Sequence, residues 1–534
     1  MSEKKVGVIV GEATTDMFYF ASSIDDYPPK WEYLMVLSNE IADGEIREVQ
    51  VLAQVERIVS ASQVLSREVD FDAINRILQA RIEDLRTWGK ARVLGYIHHE
   101  PSGGRRRVLL PRRAVVPGRP VYIAPVPLLR EFYSSTAEDG LHIGELINRP
   151  DVPVFISASG LRRHLAIIAQ TGAGKSYCAG VLIEELLEKG ATILILDPHS
   201  DYVLLSQSRG GGLHNLSSRV VVFRNKAATG RYKDVGNVRP YEIAFTELTP
   251  DEVCDIAGIR EKAVNQRNAV AEALKSFKEE IYTPADLVKK LEDPSGWTED
   301  NKIRNAAKSA LKYIRSLSKL NVFGLTSTEI SEILKPMNVS VIDLSGLEDK
   351  TMNYIASNIL YETYEAVSKG EYGFPVFIVI EEAHKFVPFE GTSYSSSITN
   401  RIAAEGRKFG IFLILITQRP SKIASDSLSQ CNSQIIMRLT NPDDQNAVAK
   451  SSERMSADLL GNLPGLNPGE AIVVGEVTTV PVMIKVRERL TREGGSDIDL
   501  AKKLEEARLE VNAAGRADED EARRQRFTGQ FGAE

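Results

Sequence analysis

Excess positive charge is what this chain most plainly lacks. Its 66 Lys and Arg stand against 73 Asp and Glu, for a formal net charge of −7. Proteins that coat DNA with their outer surface carry the opposite balance, so any contact with nucleic acid has to be local, for instance along a channel. Cysteine is scarce as well. Cys178, Cys254 and Cys431 lie far apart, which fits neither a disulfide framework nor a zinc cluster and leaves three reduced core thiols. Long apolar runs are missing too. Phe377 to Ile380 and Ile411 to Ile416 fall far below the roughly 18 residues of a membrane span. The opening Met-Ser-Glu-Lys-Lys leads into no signal-peptide core. The expectation is a cytoplasmic protein with no membrane partner. No internal repeat is visible.

What is present sorts into three stretches, and 534 residues exceed what one core holds. Residues 1–145 read as a small β-barrel. Val6, Val8 and Val10 alternate, and Trp31 to Leu37, Val49 to Val59, Ala91 to Ile97 and Val108 to Leu110 are further β-rich runs with the short, turn-broken rhythm of a barrel. Residues 62–90 repeat apolar side chains at helical spacing (Ile74, Ile77, Leu78, Ile82, Leu85), so a helical insertion is expected there. The Pro-rich segment Pro117 to Pro127 and the polar stretch up to Gly140 read as a linker. Residues 146–490 have α/β texture, with short continuous apolar runs of the kind buried on both faces of a parallel sheet. A helical insertion is expected over about 246–335, where Thr249-Pro250-Asp251-Glu252 and Thr283-Pro284-Ala285-Asp286 read as capped helix starts. Residues 491–534 form a charged tail. The run Arg105 to Arg113 is the densest basic patch, either a solvated hairpin tip or a contact for DNA or nuclease.

The sharpest motif is Ala169-Gln170-Thr171-Gly172-Ala173-Gly174-Lys175-Ser176. It follows an apolar strand and opens a helix, the context a phosphate-binding P-loop requires. Its glycines let backbone N–H groups turn inward, and the helix N-terminus adds partial positive charge. Residues Thr171 to Tyr177 are expected to bind ATP. Lys175 would reach the β- and γ-phosphates, and the Ser176 hydroxyl would go to Mg²⁺. Ala169 stands where the strict pattern has Gly, which is tolerable if its φ stays negative.

Three further strand ends carry polar groups. Phe377 to Ile380 runs into Glu381-Glu382-Ala383-His384. Glu381 would sit in the Mg²⁺ shell, and Glu382 would polarise the attacking water. Asp197 ends the strand Thr192 to Leu196, which is expected beside the P-loop strand. It either positions water or Mg²⁺ or caps the following loop. Gln418 follows Ile411 to Ile416, where a neutral amide can sense the γ-phosphate or simply form the turn before Pro420. Arg407 lies between a helix and that strand, as a helix-dipole partner or as an arginine supplied in trans.

Together these residues resemble the HerA family of the HerA/FtsK P-loop superfamily. The opening Val8 to Thr15 looks like the start of that family's N-terminal HAS barrel. Arg163-His164-Leu165 leading into the P-loop is similar to its P-loop strand. Asp197-Pro198-His199-Ser200-Asp201-Tyr202 resembles its "D-x-H-G-E-Y" turn, with Ser200 for Gly and Asp201 for Glu, and Glu381 to His384 looks like its Walker B. Leu463 to Ala471 resembles its late turn. The resemblance implies a RecA-like P-loop core behind a HAS barrel, working as a homohexamer that pumps double-stranded DNA with ATP and Mg²⁺. It implies a NurA-type nuclease docked on the barrel for end resection. It places Arg163 at the nucleotide, makes Arg407 the arginine finger, and sets Ile484 and Lys485 near the adenine. The departures at 200 and 201 lie outside the catalytic acids. Two other readings share the core: a secretion or conjugation pump, and a nucleotide-gated scaffold in a defence complex.

Overall fold

The computed structural model describes residues 4–42, 44–80, 84–99, 106–133, 139–230, 232, 234–277, 281–320, 322–391, 393–452, 454–495, 500–501 and 503–510. The N-terminal strands are β1 Lys5–Ala13, β2 Met17–Ser22, β3 Tyr33–Ala42, β4 Glu45–Ala61, β5 Arg86–His98, β6 Arg107–Leu109 and β7 Pro120–Ile123. They pair in the order β2-β1-β7-β3-β4-β5-β6, and β2 also pairs with β5. That extra pairing closes six antiparallel strands into a barrel, which removes the free sheet edge an open sheet would leave. Its interior is Val6, Ile9, Phe18, Phe20, Leu34, Val36, Val51 and neighbours.

The expected helix between β4 and β5 is there, but shorter than residues 62–90: α1 spans Phe71–Gln79, capped by Asp70. None of its residues is fully buried, and Ile74 and Ile77 of its apolar stripe are half-buried. The expected linker is corrected. Pro120 opens β7, which sits between β1 and β3, and α2 Val126–Tyr133 follows at once. Pro is tolerated as the first residue of a strand. Helix α2 packs Leu129 and Phe132 into a core shared by Tyr33 and Leu52 of the barrel wall and by Leu141 and Ile143 of the larger sheet. Arg105 and the residues before it in the basic run fall outside the described residues, as does the tail from 511. Backbone N–H groups of Arg112 and Arg113 donate to Glu40.

The larger sheet has twelve strands. In chain order they are β8 Gly140–Leu146, β9 Arg149–Ser157, β10 Leu165–Ile168, β11 Thr192–Asp197, β12 Val220–Arg224, β13 Val238–Pro240, β16 Val339–Asp343, β17 Val376–Ile380, β18 Ile411–Thr417, β19 Ser433–Met437, β20 Glu470–Val474 and β21 Val482–Val486, while β14 Ile243–Ala244 and β15 Phe323–Gly324 form a separate ribbon. Their spatial order is β13-β12-β16-β11-β17-β18-β10-β19-β20-β21-β8-β9. The first eight run parallel. The last joins are antiparallel. Residues of β10, β11, β17 and β18 are buried on both faces, as their unbroken apolar runs predict. The strand ending in Asp197 is not beside the P-loop strand as expected: β17 and β18 stand between them.

Four helices of the expected insertion, α4 Pro250–Ala257, α5 Val264–Lys275, α6 Pro284–Glu292 and α7 Asn301–Leu317, pack over one face. Both Thr249 and Thr283 cap their helices in reciprocal boxes with Glu252 and Asp286, and each such cap contributes about 1 kcal/mol. After the four-residue α8 Ile330–Ile333, the long α9 Asp349–Ser368 and α10 Ser396–Glu405 line the same face. The opposite face carries α3 Lys175–Glu188. Among the described residues no helix is long and apolar enough to cross a membrane.

Candidate functional site

The parallel strands all end on one edge of the sheet, and a cleft of 1070 Å³ opens there, lined among others by Lys175, Ser176, Asp201, Glu382, Gln418 and Lys485. Gly172 and Gly174 adopt φ of 77° and 102°, the left-handed turn that side chains resist. Ala169 is not among the positive-φ residues, so its methyl group fits. The late turn braces the loop from below, with Gly469 N–H donating to the Ala173 carbonyl at 2.9 Å. Tyr177 lines the cleft, and its hydroxyl accepts from Arg489 N–H at 2.7 Å.

Lys175 Nζ donates to Glu381 and, at 3.2 Å, to Glu382. Burial pulls the ammonium down, but the two carboxylates outweigh burial and hold Lys175 above its ordinary value. Glu381 is fully buried, and the Tyr202 hydroxyl donates to its other oxygen at 2.6 Å. Glu382 is 5% exposed and sits at φ 50°, ψ 50°, a left-handed conformation that is uncommon for such a side chain. Burial pushes its carboxyl up, yet His384 and Lys175 prevail and bring it down to about 2. These two acids are therefore not a solvated helix start. Gln418 is held against the P-loop by the Thr171 hydroxyl.

Asp201 is the residue that sequence reasoning passed over. Ser176 Oγ donates to Asp201 Oδ2 at 2.8 Å. Of the two departures from the family turn, Asp201 thus lines the cleft, while Ser200 is buried behind it. Ser200 takes φ 61°, where glycine is the default, and its hydroxyl donates to Asp343 at 3.0 Å. Asp197 is corrected to the capping role. Its Oδ1 accepts from the N–H groups of His199 and Asp201, and its Oδ2 from that of Tyr202 at 2.9 Å. It is fully buried, with both oxygens spent on the turn that delivers Asp201. Burial and the nearby Asp201 push its carboxyl well up.

Beyond β21, residues 487–495 cross the expected tail boundary at 491 and fold back over α3. Arg487 pairs with Glu184 and Glu185 at 3.1 and 2.8 Å. Glu184 also accepts from the N–H groups of Leu490 and Thr491. Arg489 is 1% exposed and lies so close to Gly180 that a Cβ there would collide with its guanidinium. Gly494 N–H reaches the Asp201 carbonyl at 3.0 Å. This strap presents Glu493 to the cleft beside Lys485. Ile484 is corrected: its side chain is fully buried in the core, and of that expected pair Lys485 alone lines the cleft.

Two expected residues are not in the cleft at all. Arg163 precedes β10 and Arg407 precedes β18, so both lie on the opposite edge of the sheet. The seven residues of β18 span roughly 20 Å at strand rise. The Arg163 side chain is half-exposed, 3.9 Å from Glu476. Arg407 is exposed. Neither reaches the phosphate loop of its own chain.

Residues 141–363 match the family model described as "Helicase HerA, central domain". A probable helicase of Methanocaldococcus jannaschii is 30% identical over 93% of this chain and 93% of its own length. The "DNA double-strand break repair helicase HerA" of Pyrococcus furiosus is 29% identical over 91% of this chain and 92% of its own. Among solved structures, the plasmid coupling protein TrwB in complex with ADP and Mg²⁺ overlays with a TM-score of 0.48 at 14% identity, covering 69% of this chain and 93% of that one. With a shared sequence running through barrel, P-loop and late turn alike, the chain belongs to the HerA family of ATP-hydrolysing P-loop helicases and translocases.

Proposed function

We propose that the chain is an ATP-driven homohexameric translocase on double-stranded DNA, working with a NurA-type nuclease in end resection. The observation that carries this reading is the split of charged groups between two opposite edges of one parallel sheet. The cleft holds Lys175, Ser176, Glu382 and Gln418, while Arg163 and Arg407 stand at the opposite edge, where the nucleotide of a neighbouring copy would meet them. A closed ring supplies that meeting at every interface, because head-to-tail contacts repeat until the rotation closes. The relatives' printed names place them in DNA double-strand break repair, and we extend that role to this chain. The barrel of β1 to β7 would be the face that docks the nuclease, and the twelve-stranded sheet with its helices the motor.

In the cleft, the P-loop N–H groups and Lys175 would take the phosphates of ATP. Drawn to the γ-phosphate, Lys175 leaves Glu382, and the carboxylate becomes a better acceptor for the attacking water's proton. Gln418 would orient that water. Ser176 and Glu381 would hold Mg²⁺, and Asp201 fixes the Ser176 hydroxyl for it. These are hard oxygen donors, and among the described residues no group of three or more His, Cys, Asp or Glu could hold a metal unaided. That suits a cation bound by one or two carboxylates together with substrate phosphates. Bound there, Mg²⁺ neutralises charge on the phosphate oxygens. Arg407 from the neighbour would stabilise the charge that builds in transfer.

The test is ATP turnover with and without linear duplex DNA, followed by displacement of a third strand from a triplex. Stimulated turnover with displacement is expected. Stimulation without displacement would leave a nucleotide-gated scaffold instead of a motor, and no response to duplex DNA would remove the DNA reading altogether.

A further inference from the structure

His164 stands between the two arginines' elements in a conformation that its side chain should avoid. Its φ of 59° and ψ of 158° fall in a region almost reserved for glycine. Such strain persists only where the surroundings over-determine it. Here they do. The ring is 1% exposed. Leu413 N–H donates to Nδ1 at 2.9 Å, so Nδ1 carries no proton and Nε2 does. Nε2 then donates to the Ala403 carbonyl at 3.0 Å. Leu413 belongs to β18, and Ala403 lies in the last turn of α10, four residues before Arg407. On the other side, the Arg163 carbonyl accepts from Asn432 N–H at 3.0 Å, at the start of β19. A turn alone would need only glycine. An imidazole with both nitrogens committed ties three elements to one point.

We infer that His164 is a positioning residue that locks Arg163 and Arg407 into one rigid edge, presented to the nucleotide of a neighbouring copy of this chain. The inference rests on the trans reading above. It touches no reacting atom. It fixes where two guanidinium groups stand, and a misplacement of about 1 Å can cost on the order of 100-fold in rate.

The test uses the full chain. His164→Asn is no worse suited to this backbone than His and can offer an oxygen to Leu413, but it is too short to reach Ala403. His164→Gly takes the backbone without strain and removes both bonds, so it carries the test if the first variant does not fold. Each variant alone should lose on the order of 100-fold in kcat with KM for ATP near wild type. Mixed with Lys175→Ala chains, which are inactive alone, each should regain turnover, because its intact P-loop then faces an intact arginine edge. Arg407→Ala mixed with Lys175→Ala is the control. If the control regains turnover and the His164 mixtures do not, or if KM rises while kcat holds, the inference is overturned and the trans reading stands. Wild-type kcat in both variants also overturns it. If the control itself stays inactive, the trans reading fails and takes the inference with it.

Discussion

The two edges of the parallel sheet solve the problem of charge in opposite ways. At the carboxyl edge, Lys175 is matched by Glu381 and Glu382, and Ser176 by Asp201, all inside one chain and largely out of water. At the amino edge, Arg407 is exposed and Arg163 has, among the described residues, a half-exposed partner 3.9 Å away in Glu476. An exposed pair of that kind is worth at most about 1 kcal/mol. One edge is finished before any partner arrives. The other is rigid in its backbone and unfinished in its side chains. The contrast sets a cleft assembled within one chain against exposed arginines on the far side of the same sheet.

The sharpest way to break this contrast is Arg407→Ala. It should reduce kcat by roughly 10³–10⁵ and leave ATP binding intact, while thermal melting shifts little because the side chain is exposed. Steady-state turnover with a nucleotide-binding titration reads both. A wild-type rate would demote Arg407 to a helix-dipole partner and turn attention to Arg401 and Arg419. Next comes Glu382→Gln at the finished edge. An amide cannot take the water's proton, so turnover should fall by about 10²–10⁴ with ATP still bound, and near-normal hydrolysis would remove Glu382 from that role.

The smallest effect is on stability, at the amino edge. Burial, with Arg407 nearby, draws the His164 ring down from 6.5 to about 4. Between those two values the unfolded chain takes up a proton that the folded chain refuses. The stability His164 contributes is therefore complete above pH 6.5 and is lost as pH falls toward 4, by about 3 kcal/mol at most. Urea midpoints across that window should show this component of the slope in the wild type and lose it in His164→Asn. An identical slope in the variant would mean that other groups carry it.

Local chemistry was legible in the sequence; long-range placement was not. The P-loop, the acids after Phe377 to Ile380 and the caps at Thr249 and Thr283 depend on residues a few positions apart, and the folded chain has them as read. The strand order depends on crossovers, so nothing near Asp197 could reveal that β17 and β18 separate it from the P-loop strand. Its role as a cap emerged only with the turn's backbone. Asp201 looked like a mild substitution because its partner, Ser176, is 25 residues away. The Pro-rich segment misled because Pro120 marks a strand start as readily as a linker. Arg163 is adjacent in sequence to the P-loop strand, but at its wrong end.

The strap at residues 487–495 changes what it means to shorten this protein. A cut at 490 resembles the removal of a loose tail. It would take away Thr491, whose N–H and hydroxyl both donate to Glu184, and would loosen the turn that seats Arg489 on α3. A carboxylate that is 3% exposed would lose two of its donors and the strap that covers it. Such a chain would fail at its phosphate helix, whose Glu184 is 307 residues from Thr491 in sequence but bonded to it in space. For anyone trimming the protein, the strap through Gly495 has to stay, because Gly494 closes the buckle on Asp201.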